Sequence, residues 1–340
     1  MVFEVIQPDL EINRRHAPAL LIPPTDSSVR ATSGGSVAGF GQILAAAQRR
    51  RGQTRLTRYR RRGVTYERSV LRHGAATWSD LETRDMRAEP MIWRESGGSG
   101  DCTILFLHGL GATAAVWTGV RQALEERGGR RWMVADLAGH GGSDGDPFYS
   151  VGQLAAQLAQ TIRLEPATLI VGHSLGAYVG LALASGWFGV RVRAVLGIGP
   201  KIAWPETDLA AARDLAARPV RCYATEDEAL ARYRRVSGLS EELAPGREPL
   251  ARGLLNTPGG WRLAQDPGTF TAAGAPFESL VSAAQARVML ARGERDPMVS
   301  LEELRAHAPL AHDIRGAGHN AHVEDPRAVL GLIEALLSAD

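Results

Sequence analysis

Leu169-Ile170-Val171-Gly172-His173-Ser174-Leu175-Gly176 is an apolar run that ends in G-x-S-x-G and passes without a break into the apolar stretch Ala177 to Ala184. Such a run reads as a buried strand feeding a helix, with a serine on the sharp turn between them. The turn needs small residues two before and two after the serine, because neighbouring backbone passes where a Cβ would stand. Gly172 and Gly176 fill those places. A serine presented this way points to covalent acyl-transfer chemistry, provided that an acid and a base follow downstream.

Both do. Arg287-Val288-Met289-Leu290-Ala291-Arg292-Gly293-Glu294-Arg295-Asp296-Pro297 is a second strand with an acidic residue just beyond it, and Asp296 is the candidate acid. Gly316-Ala317-Gly318-His319-Asn320-Ala321-His322 stands ahead of the helical stretch Pro326 to Ser338, and His319 is the candidate base. The imidazole would take the Ser174 proton while Asp296 fixes its tautomer and stabilises the imidazolium. Upstream, Thr103-Ile104-Leu105-Phe106-Leu107-His108-Gly109-Leu110-Gly111-Ala112 is an apolar strand ending in a glycine-rich loop. Its geometry suits an oxyanion hole built from the backbone N–H of Leu110 and that of Leu175.

These motifs, in this order, resemble the α/β-hydrolase superfamily from about Glu89 to Asp340. Asp136-Leu137-Ala138-Gly139-His140-Gly141-Gly142-Ser143-Asp144 is very close to that family's D-x-x-G-H-G-x-S turn. The resemblance implies an α/β fold, with a mostly parallel sheet, helices on both faces and an inserted helical cap. It also implies a serine hydrolase of carboxylic esters, with lactones and thioesters in the same reaction class. The superfamily's epoxide hydrolases and haloalkane dehalogenases place an aspartate where this chain has Ser174. Three alternatives stay open. The ending Ala317 to His322 looks like that of the menaquinone-pathway synthase that eliminates pyruvate by proton abstraction, although that family has a tyrosine and an arginine where His173 and Ala177 stand. C–C bond hydrolases usually carry an aromatic where Asn320 stands. A non-catalytic ligand-binding protein on the same scaffold is the third.

Alternating patterns place strands near Thr103–Leu107, Trp132–Asp136, Thr168–Val171, Ala194–Ile198, Arg287–Arg292 and His312–Arg315. Helices are expected at Ala114–Glu126, Val151–Ile162, Leu175–Ser185, Leu301–His307 and Pro326–Leu337, and Glu89–Glu95 reads as the opening strand. The cap is expected over about residues 201–284, with helices at Leu209–Ala217 and Glu226–Val236, since the connection is too long for an ordinary loop. Trp204, Tyr223, Tyr233, Leu254, Trp261 and Phe270 are its candidate pocket residues. Arg234 and Arg235 read as a solvated helix face before they read as a carboxylate clamp. His108 and His140 read as loop-shaping residues. His173 flanks the nucleophile, where it could tune the site, with its side chain expected to point away from where Ser174 aims. His322 competes with His319 as the base, and the Gly-x-Gly-His setting, which resembles the family's loop, favours His319.

Composition bounds the rest. At 340 residues and 44% hydrophobic, the chain can bury a large core. It has no apolar run of membrane-spanning length and no signal-peptide pattern, so a soluble cytosolic protein is expected, with no membrane partner. Cys102 and Cys222 suit buried thiols rather than a disulfide framework. No metal-ligand spacing or phosphate loop occurs, so no cofactor is implied, and the expected partner is a small ester-like molecule. Residues 1–85 carry 14 arginines against 8 acids, and the remainder 25 basic residues against 29 acidic. That first segment reads as a poorly structured basic extension, or as the product of a start codon placed upstream of Met86 or Met91, and no nucleic-acid partner is expected. The domain proper would then run over residues 86–340.

Overall fold

The computed structural model describes residues 91–239 and 250–338, and upstream of them the backbone of two strands, β1 (Arg55–Arg61) and β2 (Val64–Val70). These two pair antiparallel, with Arg58 opposite Glu67 and Tyr59 opposite Tyr66. Neither strand alternates cleanly between apolar and polar residues, which is why its period is hard to see in the sequence. The Ser/Gly-rich stretch 31–41, the cluster Arg49-Arg50-Arg51 and Met86 lie outside the described residues.

The main sheet is built from β3 (Arg94–Gly97), β4 (Thr103–Leu107), β5 (Arg131–Ala135), β6 (Leu169–His173) and β7 (Ala194–Ile198). After an insert carrying the hairpin β8 (Leu254–Thr257) and β9 (Gly260–Leu263), it is completed by β10 (Arg287–Gly293) and β11 (Ala311–Ile314). Across the sheet the order is β11-β10-β7-β6-β4-β5-β3, parallel except for β3. The strands read as unbroken apolar runs because both faces are covered. Ile104 and Phe106 of β4 face one core with Leu169 and Val171 of β6, while Leu105, Leu107 and Ile170 face the other.

Helices α1 (Thr118–Glu126), α2 (Val151–Thr161) and α3 (Leu175–Ala184) follow β4, β5 and β6. The insert holds α4 (Glu206–Ala216), α5 (Glu226–Ser237) and α6 (Phe277–Ala283); α7 (Leu301–His307), α8 (Ala321–Glu324) and α9 (Pro326–Ser338) complete the chain. Val120 and Leu124 of α1 and Leu330 and Ile333 of α9 cover one face of the sheet. Leu154 and Leu158 of α2, Val179 and Leu183 of α3 and Leu304 of α7 cover the other. All ten residues of α3 are buried, as its apolar sequence requires.

Three local readings differ from expectation. The chain over residues 91–93 is not strand: Met91 and Trp93 bond the Ser143–Asp144 turn, and β3 begins only at Arg94. The helix expected from Ala114 starts as a 3-10 turn, Ala114–Trp117, because the Asp136 carboxylate takes the Ala114 N–H at 2.7 Å. The insert is not purely helical, since Tyr223 and Trp261 bridge at the edge of the β8–β9 hairpin. That bridge turns Tyr223 inward and its neighbour Cys222 outward, so Cys222 is an exposed thiol rather than a buried one. Cys102 is half-buried, its Sγ donating to the Ala167 carbonyl.

The β6–α3 crossing tolerates no added atom. A Cβ at Gly176 would collide with the Leu107 carbonyl oxygen, and one at Gly172 with the Gly176 carbonyl group. Because the obstacles are backbone, Gly176→Ala is expected to destabilise the fold by about 3 kcal/mol or more, read as a drop in soluble yield and melting temperature. A melting temperature equal to wild type would show that the crossing can relax.

Candidate active site

Ser174 occupies the junction of β6 and α3 with φ 48° and ψ −113°, and among the described residues it alone has positive φ without being glycine. Its N–H is held by the Ile198 carbonyl at 2.8 Å. Strain of this kind survives only where the surroundings over-determine it, and here it lifts the side chain clear of the helix into a cavity. Leu175, the next residue, opens the helix, so its N–H has no intrahelical acceptor.

The loop after β4 is shaped by the loop after β5. His108 donates from Nδ1 to the Gly109 carbonyl and accepts at Nε2 from the Leu137 N–H, at 2.8 and 2.9 Å. His140 accepts the Gly111 N–H at 3.2 Å, and the Asp136 carboxylate takes the N–H groups of Ala114 and Gly142. The Ala112 N–H turns back to the Gly109 carbonyl. Among the described residues the Leu110 N–H has no protein acceptor, and Leu110 and Leu175 both line the cavity beside Ser174. That is the arrangement a developing oxyanion needs.

Asp296 and His319 stand on the loops after β10 and β11. His319 Nδ1 meets Asp296 Oδ2 at 2.9 Å, and the carboxylate, whose side chain is fully buried, also accepts the Met298 N–H at 2.9 Å. The His319 ring shares the cavity wall with Ser174, without a hydrogen bond between them; such contacts tighten as substrate engages. His322 does not compete. It is wholly buried, neither ring nitrogen has a partner among the described residues, and its ring lies 4.5 Å from that of Trp117 and 4.2 Å from that of His173. His173 makes a contact the sequence did not indicate: its ring donates to the His319 carbonyl.

The cavity in front of Ser174 has a volume of about 80 Å³ and a mostly apolar wall. Of the six sequence candidates it includes Trp204 and Phe270. The other four lie elsewhere because their apolar faces join the core on one face of the sheet: Leu254 and Tyr233 are buried in it, Tyr223 and Trp261 pack against it, and the Tyr233 hydroxyl lies 3.1 Å from Thr113 Oγ1. Arg234 and Arg235 close the last turn of α5 and are not on the cavity wall. Sequence reasoning missed the polar side of the pocket. There Trp204 Nε1 donates to the Tyr178 hydroxyl, Tyr178 donates to the Lys201 carbonyl, and Lys201 pairs with Asp208 of α4. The available signals were Tyr178, one turn beyond Ser174 on α3, and Lys201, the chain's single lysine. Among the described residues no cluster of side chains suits a metal, and no helix is long and apolar enough to cross a membrane.

A strained serine elbow, a braced glycine loop and an acid–histidine pair at the carboxyl ends of parallel strands define a class of sheet-borne hydrolase sites. The chain belongs to the alpha/beta hydrolase family, whose model matches residues 104–332. Among curated relatives it is 31% identical over 110 residues to the sn-1-specific diacylglycerol lipase ABHD11 of Mus musculus, covering 31% of this chain and 36% of that protein. It is 33% identical over 94 residues to the pimeloyl-[acyl-carrier protein] methyl ester esterase of Salmonella newport, covering 27% and 35%. The matches thus span about a third of these relatives' length. Among solved structures, a thioesterase domain from the curacin biosynthetic pathway has a TM-score of 0.60 at 21% identity, over 83% of this chain and all of that one. An esterase from Mycobacterium tuberculosis has a TM-score of 0.58 at 21% identity, over 74% and 93%. These two show the likeness of fold.

The buried histidines carry a stability consequence. Burial lowers His108 to about 4 and His140 and His322 to about 3. An unfolded chain takes up these protons near pH 6.5, whereas the folded one resists until about pH 4. Stability is therefore complete above pH 6.5 and is lost as the pH falls toward 4, by up to about 1.4 kcal/mol per pH unit for each histidine. Melting temperatures measured from pH 8 to 4.5 should fall along this limb, and His322→Phe should flatten it; an unchanged slope in the variant would mean that His322 is protonated in the fold.

Proposed function

We propose that this protein is a serine hydrolase of carboxylic esters that works through an acyl-enzyme on Ser174. The observation that carries the reading is the Asp296–His319 pair at 2.9 Å, sharing one cavity with a serine held at positive φ. Asp296 accepts from Nδ1, so the lone pair of His319 lies on Nε2, the nitrogen left for the Ser174 proton. As Oγ attacks the ester carbonyl, that proton passes to Nε2 and the carbonyl oxygen gains negative charge. The N–H groups of Leu110 and Leu175 receive this charge, a contribution of about 3 kcal/mol per donor. The imidazolium then protonates the departing alcohol, leaving an acyl–Ser174 ester. Water, deprotonated by the same nitrogen, attacks that ester and returns the serine.

The pocket supports short to medium apolar acyl groups. Phe270, Met298 and Leu110 offer apolar wall, and Trp204 with Tyr178 closes the side nearest Lys201. The insert over residues 201–284 acts as a cap, limiting water at the acyl-enzyme and shaping the acyl site. The relatives named for ester hydrolysis agree with this reaction class, and a thioester differs only in its leaving group.

The test is time-resolved hydrolysis of p-nitrophenyl acetate, butyrate and octanoate, with intact-mass detection of a trapped acyl group. Turnover and an adduct on Ser174 are expected, both vanishing in Ser174→Ala. Asp296→Asn should lower kcat by about 10⁴-fold through the wrong imidazole tautomer. His319→Ala should remove turnover, whereas His322→Phe should retain it. A folded wild-type protein with neither turnover nor adduct overturns the proposal.

A further inference from the structure

The last residue of β6 touches both halves of this site. His173 is covalently joined to Ser174, and its Nε2 lies 2.9 Å from the carbonyl oxygen of His319, 146 residues away in the chain. The loop that carries His319 is rich in glycine, Gly316-Ala317-Gly318, and has little stiffness of its own. Its first residues are held by the loop after β10 and by α8: the N–H groups of Gly316 and Gly318 donate to Glu294 and Glu324, and the Ala317 carbonyl accepts the Arg295 N–H. His319 and Asn320 themselves are fastened at three further points, each on a different element. Asp296, after β10, holds the imidazole ring. Asn320 donates to the carbonyls of Ser237 and Gly238 at the end of α5, at 3.2 and 2.9 Å, and so ties the loop to the insert. His173 holds the backbone of His319 itself, and of the three it alone refers that backbone directly to the nucleophile.

We infer that His173 is a positioning residue that sets the Ser174–His319 separation through its hydrogen bond to the His319 carbonyl; the inference rests on the acyl-enzyme reading above. A carbonyl oxygen only accepts, so the bond requires the proton on Nε2, which leaves Nδ1 as a bare lone pair. That nitrogen has no partner among the described residues and is pressed against Gly109, where a Cβ would come within 2.8 Å of it. The ring is 4% exposed and packed 4.2 Å from His322 and 4.7 Å from His319, so it has no room to flip and no acceptor for a second N–H. Burial keeps it neutral, with the two neighbouring histidines acting in the same direction. The tautomer and the ring position are therefore both imposed by the packing. A positioning role matters here because a displacement of about 1 Å between nucleophile and base costs on the order of 100-fold in rate.

The experiment compares two substitutions in the full chain. His173→Gln keeps an N–H donor of similar reach; His173→Leu fits the space and removes the donor. On p-nitrophenyl butyrate, His173→Leu should lose on the order of 10- to 100-fold in kcat with KM little changed, and His173→Gln should recover most of that loss. Equal impairment of the two variants at equal melting temperature, or an unimpaired His173→Leu, overturns the inference. A readout independent of the variants' folding is the histidine side-chain ¹⁵N spectrum of the wild-type protein. It should show His173 as the neutral Nε2–H tautomer from pH 6 to 8, and an Nδ1–H tautomer or an imidazolium there overturns the tie. If the wild-type protein hydrolyses no ester, the functional reading fails, while the ¹⁵N spectrum still decides whether the bond exists.

Discussion

The close backbone crossing of β6 and α3 is the constraint on which the rest of the structure depends. Gly172, Gly176 and the Leu107–His108 carbonyls pack so tightly that α3 can start only directly after Ser174. This forces Ser174 into positive φ, and the Ile198 carbonyl pins its amide there. The same contact fixes the start of the loop after β4, since the carbonyls that exclude a Cβ at Gly176 belong to the last residue of β4 and the first of that loop. The elbow and the glycine loop after β4 are thus two sides of one packing contact.

Around that contact the polar groups are satisfied by side chains that no strand or helix would require. His108, Asp136 and His140 cross-brace the loops after β4 and β5, each taking a backbone N–H that would otherwise be buried without a partner. Their burial has opposite effects on the two residue types. It raises the Asp136 carboxyl, against the pull of its bonds from Ala114 and Gly142, and lowers both histidines. Neutral imidazoles suit this place, because each ring then offers one donor and one acceptor. The loop is thus braced with its histidines neutral, and Leu110, whose N–H has no acceptor among the described residues, lines the cavity.

The insert contributes through two helices anchored to different degrees. α5 joins the main core through Ala229, Leu230 and Tyr233, reaches the loop after β4 through Thr113, and receives Asn320 at its end. α4 rests on a smaller apolar contact, Leu215 with Phe270 and Leu110, and on the Lys201–Asp208 pair. The pocket is therefore bounded on one side by the end of α5, a helix continuous with the core, and on another by Lys201, Trp204 and Phe270, against which α4 packs from outside.

Much of this was legible in the sequence. The strands at Thr103–Leu107 and Ala194–Ile198 match the expected bounds residue for residue, because unbroken apolar runs between turn residues report burial on both faces. The helix Leu301–His307 matches too, its start set by the Ser300–Glu303 capping box. Ser174, Asp296 and His319 were identifiable because each follows a strand on a short loop, where local pattern and chemistry coincide. The pocket was not legible in that way. Trp204 and Tyr233 are both large aromatics in the same insert, and only tertiary packing makes one a wall and the other a core residue. His319 was preferred over His322 on its Gly316-Ala317-Gly318-His319 setting, but the burial of His322 could not be read from the sequence. By itself the sequence determined the order of strands and helices and the residue types that end them, because these follow from local periodicity and glycine sterics. The tertiary structure alone decided what surrounds His173 and His322, which N–H groups stay unclaimed and which aromatics face the cavity, because each depends on groups brought together from distant parts of the chain.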